Sequence, residues 1–134
     1  MSYRPDLPAA ARRHLAAADA LAALDQGRFW RVAGYLYGIA AECAVKAMMR
    51  EAGLVPQGPR REDPFYAHFP ELRTMVRDRM ASRRGGTLLR VIGDDAFMHH
   101  WDTDMRYCNA SEIQDTWVDH WQTQARNVVA AIGT

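Results

Sequence analysis

The stretch RVAGYLYGIAAECAVKAMM, Arg31 to Met49, decides the fold: it reads as a helix that is apolar almost all the way round except for one polar seam. At about 100° per residue, Arg31, Tyr35, Gly38, Glu42, Lys46 and Met49 fall within a quarter of its circumference. Trp30, Val32, Leu36, Ile39, Cys43 and Met48 occupy the rest. A helix of this kind belongs in the middle of a protein. Its seam must face another helix, a partner subunit or a site, because a buried Glu or Lys needs a partner to offset its desolvation. Gly34, Gly38 and Ala41 make a stripe of small residues beside the seam, suited to close core packing or to a twofold interface.

Working outward, Asp6 with Pro8 signals a helix start, and Ala9 to Gln26 reads as an Ala-rich helix with Leu15, Ala18, Leu21 and Leu24 along one side. Gly27 stops it, and the central helix follows at once, from Arg28 to Ala52. So short a link implies an antiparallel hairpin. Residues 54–69, with Pro56, Gly58, Pro59 and Pro64, read as a long loop that either binds, gates or lacks structure. Pro70 to Ser82 predicts a third helix, ended by Gly85 and Gly86, and residues 87–92 and 95–101 read as short helical pieces. Ser111 with Gln114 forms a capping box for a last helix reaching Ile132, with Trp117, Val118, Trp121, Ala125, Val128 and Val129 inward. No strand periodicity is present. The expectation is one all-α domain over residues 1–134, an up-down bundle of four main helices plus short helical pieces.

The chain has 134 residues, enough for one core and few enough that pairing with a copy commonly completes it. No apolar run approaches the ~20 residues of a membrane span, and the first residues lack the apolar stretch of a signal peptide, so no membrane association and a cytoplasmic location are expected. Cys43 and Cys108 read as free thiols without zinc-ligand spacing; His99 with Asp94 or Asp95 has no recognised metal spacing either, and no cofactor is expected. A net charge of +1 gives no global argument for nucleic acid. Six arginines lie from Arg73 to Arg90, and seven carboxylates from Asp94 to Asp119 with Arg106 as their lone strong base. Such asymmetry either steers two subunits together or forms two solvated faces.

The run Ala33 to Ala47 with its Glu42-x-x-x-Lys46 step, then His68-Phe69-Pro70-Glu71-Leu72, then Trp101 and Arg106-Tyr107 ahead of a final amphipathic helix, resembles the HEPN family of small α-helical domains. The resemblance covers Ala9 to Ile132. It implies a bundle that dimerises through the helices bearing its polar motif. Many members are metal-independent ribonucleases or toxins, often with a nucleotidyltransferase-like antitoxin as partner, and others are inactive binding partners. Active members carry an Arg followed, after four to six residues, by a His at the start of a late helix. Arg106 matches that Arg, but Tyr107 to Ile113 contain no His, and His120 lies too far along.

The first reading is therefore a homodimeric interaction or ligand-binding module that lacks the ribonuclease motif. The second is an RNA-cleaving toxin using Arg106 with His99, His100 or His68 to move a proton and stabilise a pentacovalent phosphate. Asp102, Asp104 and Glu112 disfavour RNA there, because they make the surroundings of Arg106 acidic. His68 matches the family's His ahead of the third helix, where the resemblance implies a structural role. A polar network of Arg31, Tyr35, Glu42 and Arg106 is expected across the helix interface, with Lys46 one turn after Glu42 in the favoured order. The third reading is a site for a planar or nucleotide-like small molecule, lined by Tyr35, Tyr37, Trp101 and Tyr107.

Overall fold

Asp6 opens the first helix by accepting the Ala9 N–H on its carboxylate at 3.0 Å, with Pro8 in the first turn. The structure, a computed structural model, describes residues 3–80 and 86–134. The expected helix end at Ser82, its stop at Gly85, the first two residues, and Arg83 and Arg84 of the basic run lie outside the described residues. Five α-helices are seen among these: α1 (Leu7–Ala23), α2 (Trp30–Glu51), α3 (Glu71–Arg79), α4 (Gly86–Gly93) and α5 (Asp115–Ala130). Short 3-10 turns cover Leu24–Gly27, Arg60–Glu62, Pro64–Tyr66, Thr103–Tyr107 and Ala110–Glu112. The described residues contain no strand, and none of their helices is long and apolar enough to cross a membrane.

Between α1 and α2 the chain reverses through three consecutive left-handed residues, Asp25, Gln26 and Gly27, at φ 50°, 57° and 84°. A short-range reversal of this kind lays α1 along α2, and α5 packs against both. Small buried residues, Ala11 and Ala18 on α1 and Ala33, Ala40 and Ala44 on α2, leave the cores of these helices slim enough for close approach.

The polar seam of α2 turns out to be its inner wall. Gly38, Glu42 and Met49 are buried, while Val32, 55 % exposed, and the half-buried Leu36, Ile39 and Cys43 form an apolar row on the open side. The reason is that segments distant in sequence reach over the seam and supply its partners. Trp101 lies against Gly38, and its Nε1–H donates to the carbonyls of Gly34 (3.3 Å) and Tyr35 (3.2 Å). A Cβ on Gly34 would sit 3.0 Å from Val118 Cγ2. The small-residue stripe is thus filled from within the chain, which makes it core packing and not a twofold contact.

Two expected helical pieces are corrected. Residues 95–101 form turns, with Met98 and His100 left-handed at φ 53° and 70°. They are held so by α5: Gln124 accepts the Met98 N–H (2.8 Å) and donates to Ala96 O (2.9 Å), and Trp121 Nε1 donates to His99 O (2.9 Å). The last helix starts at Asp115, not Ser111, so the capping box does not form. Asn109 instead accepts the Ser111 N–H at 2.9 Å, and Arg31 Nε takes the carbonyl of Ile113 at 2.9 Å, which holds that residue extended.

The 54–69 segment is folded around one buried carboxylate, Asp63, which accepts from the N–H groups of Gln57 (2.7 Å) and Phe65 (3.0 Å). Two arginines of the basic run are engaged inside the chain by backbone carbonyls. Arg73 on α3 donates to the carbonyls of Asp94, Asp95 and Phe97 at 3.1, 3.0 and 3.1 Å, and Arg77 to that of Ile92 at 2.9 Å. These are the carbonyls at and beyond the end of α4, where a helix favours cations.

Candidate functional site

Tyr35 lies one turn past Arg31 on α2 and stacks on Trp101, with centroids 5.5 Å apart and planes 18° apart. Opposite them, Asp102 caps the Thr103–Tyr107 turn by accepting the Asp104 N–H at 2.8 Å, and that turn presents Arg106. The Arg106 guanidinium lies 6.0 Å from the Tyr35 centroid and 5.1 Å from that of Tyr107, and its Nε donates to Thr103 O at 2.9 Å. Arg31, besides holding Ile113 O, faces the exposed carboxylate of Asp115 at 3.2 Å. Between the two arginines a cleft of about 320 Å³ opens, walled by Val32, Tyr35, Met105, Cys108 and Ile113.

Glu42 belongs elsewhere. It is 3 % exposed, and its two oxygens accept from His68 Nδ1 at 2.9 Å and from the Phe69 N–H at 2.8 Å. Burial pushes its pKa above the ordinary carboxylate value, opposed by those two donors and by the charge of Lys46. Burial likewise lowers Lys46, with Glu42, Cys43 and Asp63 pulling the other way, and raises the Cys43 thiol, which keeps it protonated and unreactive. The expected network is corrected accordingly: Arg31, Tyr35 and Arg106 make one cluster, and Glu42 with His68 makes another. Seven residues of helix, roughly 10 Å of rise, separate Tyr35 from Glu42.

The histidines are not gathered around Arg106. His68 is committed to Glu42. His99 and His100 project from the left-handed turn with ring centroids 3.9 Å apart, and His100 stacks on Trp117 at 4.1 Å and 15°. Burial, with His99 alongside, holds the His100 imidazole below its ordinary pKa of 6.5. Among the described residues the Arg106 side chain touches Thr103, Tyr35 and Tyr107 but no imidazole.

Tyr37 leaves the aromatic site altogether. It is fully buried, its OH donates to Asp19 at 2.6 Å and accepts from Gln122 Nε2 at 2.6 Å, and Arg126 pairs with Asp19 at 2.9 Å. Burial and Asp19 push the Tyr37 pKa up to about 12, so the hydroxyl stays a donor. This cluster ties α1, α2 and α5 together and carries no local sequence signal, since its members sit on three helices. Trp101 is also buried and serves as backing for Tyr35, while Tyr107 is 79 % exposed and lies outside the cleft lining. No three His, Cys, Asp or Glu among the described residues are placed to hold a metal ion. Set against protein-family models, curated proteins and solved structures, the chain has no match.

Proposed function

We propose that the chain is a HEPN-like up-down helical bundle that works as a homodimeric binding module and does not cleave RNA. The observation that carries this reading is the open row on α2. Val32, Leu36, Ile39 and Cys43 run for roughly 16 Å along the central helix of the protein, apolar and only half covered. A central helix that leaves such a row open is short of a cover. A twofold axis near Ile39 would set the row antiparallel against that of a second copy, in an isologous interface. The HEPN resemblance supports dimerisation as such, while the choice of this face rests on the open row.

Binding without cleavage is supported by Arg106, which lies against two tyrosines and a carbonyl and has no imidazole beside it to move a proton. Light scattering at tens of micromolar, an order-of-magnitude range for transient complexes, tests the assembly: wild type should be a dimer and Ile39→Glu a monomer. A monomeric wild type removes the reading. Incubation of wild type and Arg106→Ala with mixed RNA in EDTA tests the rest. No cutting by either is expected; cutting by wild type that Arg106→Ala loses would put a ribonuclease in the module's place.

A further inference from the structure

The cleft between Arg31 and Arg106 is positively charged on both flanks and apolar between them. Arg106 has its Nε occupied by Thr103 O, but no carboxylate pairs with its terminal nitrogens among the described residues. Arg31 keeps a nitrogen beyond those engaged by Ile113 O and Asp115, and that carboxylate is exposed enough to be well screened. The acidic residues that crowd the local sequence face another way: Asp102, Asp104 and Glu112 border a separate cleft, and Met105, Cys108 and Ile113 form the wall between the two. The neighbourhood that looks acidic in sequence is therefore sorted in space, with the guanidiniums on one side of a thin apolar wall and the carboxylates of Asp102, Asp104 and Glu112 on the other; Asp115 alone stays beside Arg31.

We infer that the arginine-flanked cleft is a binding site for a small aryl anion, one aromatic ring bearing a carboxylate or a phosphate. Guanidinium groups match both oxyanions with paired N–H donors. Val32, Met105 and Ile113 offer the ring an apolar wall, and the volume of about 320 Å³, at the lower end of ligand pockets, leaves room for a single-ring molecule. One face of Tyr35 is already covered by Trp101, so the ligand ring meets Tyr35 at its edge or displaces the Arg106 plane from its free face.

The test is calorimetric titration of the whole protein with phenyl phosphate, benzoate and, as a cation of the same shape, benzamidine. Saturable binding of phenyl phosphate or benzoate is expected, with none for benzamidine; the anion preferred tells phosphate from carboxylate. Arg106→Gln and Ala110→Glu, the latter placing a negative charge on the exposed rim, should each weaken binding by about tenfold or more, while Glu112→Gln, in the other cleft, should not. Melting curves establish that each variant is folded, and two exposed positions are used so that one misfolded variant leaves the other to decide. Equal binding of benzamidine, unchanged affinity in both variants, or no saturation by either anion at about 10 mM, a concentration that reveals even millimolar affinity, overturns the inference. Val32 belongs to the open row as well as to the cleft, whereas Ile39 lines the row alone, so Ile39→Glu breaks the dimer without altering a cleft-lining residue and should still bind the anion.

Discussion

The indole of Trp101 stands in the space that a side chain at Gly38 would need: a Cβ there would collide with Cε2 and Nε1 of the ring. The ring cannot step aside, because its N–H is bonded to two carbonyls of α2 and its face is stacked on Tyr35. Replacing a mid-helix Gly by Ala ordinarily gains up to about 1 kcal/mol. Gly38→Ala should instead lower stability by roughly 2 kcal/mol or more, through overpacking. Gly93→Ala, where nothing lies within 4 Å, should be neutral or stabilising. Urea denaturation should show a lowered midpoint for Gly38→Ala and no lowering for Gly93→Ala, and an unmoved midpoint for Gly38→Ala would mean that the indole is not wedged there.

Glu42→Ala removes a buried carboxylate and strands the Phe69 N–H, a change worth roughly 2–4 kcal/mol, against a few tenths for the exposed Glu112→Ala. Glu42→Gln keeps an acceptor for Phe69 and should fall between them. A thermal melt in which Glu42→Ala matches Glu112→Ala would show that the carboxylate holds nothing in place.

Tyr37→Phe leaves the Asp19–Arg126 pair but takes a bond from both Asp19 and Gln122 at the half-buried junction of three helices. A loss of about 1–2 kcal/mol is expected. The same change at the exposed Tyr107 should be silent, which a pair of denaturant titrations would reveal.

Two groups set opposite pH trends. His100 is held below 6.5 in the fold, so the unfolded chain takes up its proton first, and stability present above pH 6.5 is lost as the pH falls through the folded value. Glu42 is raised above 4.5, so its contribution is full at and below pH 4.5 and declines as pH rises through its folded value. His100→Asn should flatten the acid-side decline just below pH 6.5, since Asn tolerates the left-handed backbone that the position requires. An unchanged slope of melting temperature against pH in that range would show that this imidazole is not the group responsible.

Periodicity made the helical hairpin, the central helix, the inward residues Val118, Trp121, Ala125, Val128 and Val129, and the burial of Glu42 legible, because each is a local property of one helix. The orientation of α2 was not, since what covers its seam comes from His68, Phe69 and Trp101, far along the chain. The start of α5 failed for a similar reason. Ser111 and Gln114 carry a sound capping signal, yet Arg31, 82 residues away, claims the Ile113 carbonyl and keeps the backbone extended. Among the candidate site residues, Arg31, Tyr35 and Arg106 line one cleft, whereas Glu42 finds His68 and Tyr37 finds Asp19; spacing along a helix says which side chains share a face, not which distant segment arrives opposite them.

The hold of Arg73 and Arg77 on the carbonyls at and beyond the end of α4 has a dynamic consequence. Neither short helix can loosen without stripping those carbonyls of their donors, so α3, the described part of α4 and the turn after it breathe as one leaf of the structure. Their slowly exchanging amides would share a single opening event, separate from that of α2, and the leaf rather than the individual residue is the unit in which this end of the protein comes apart.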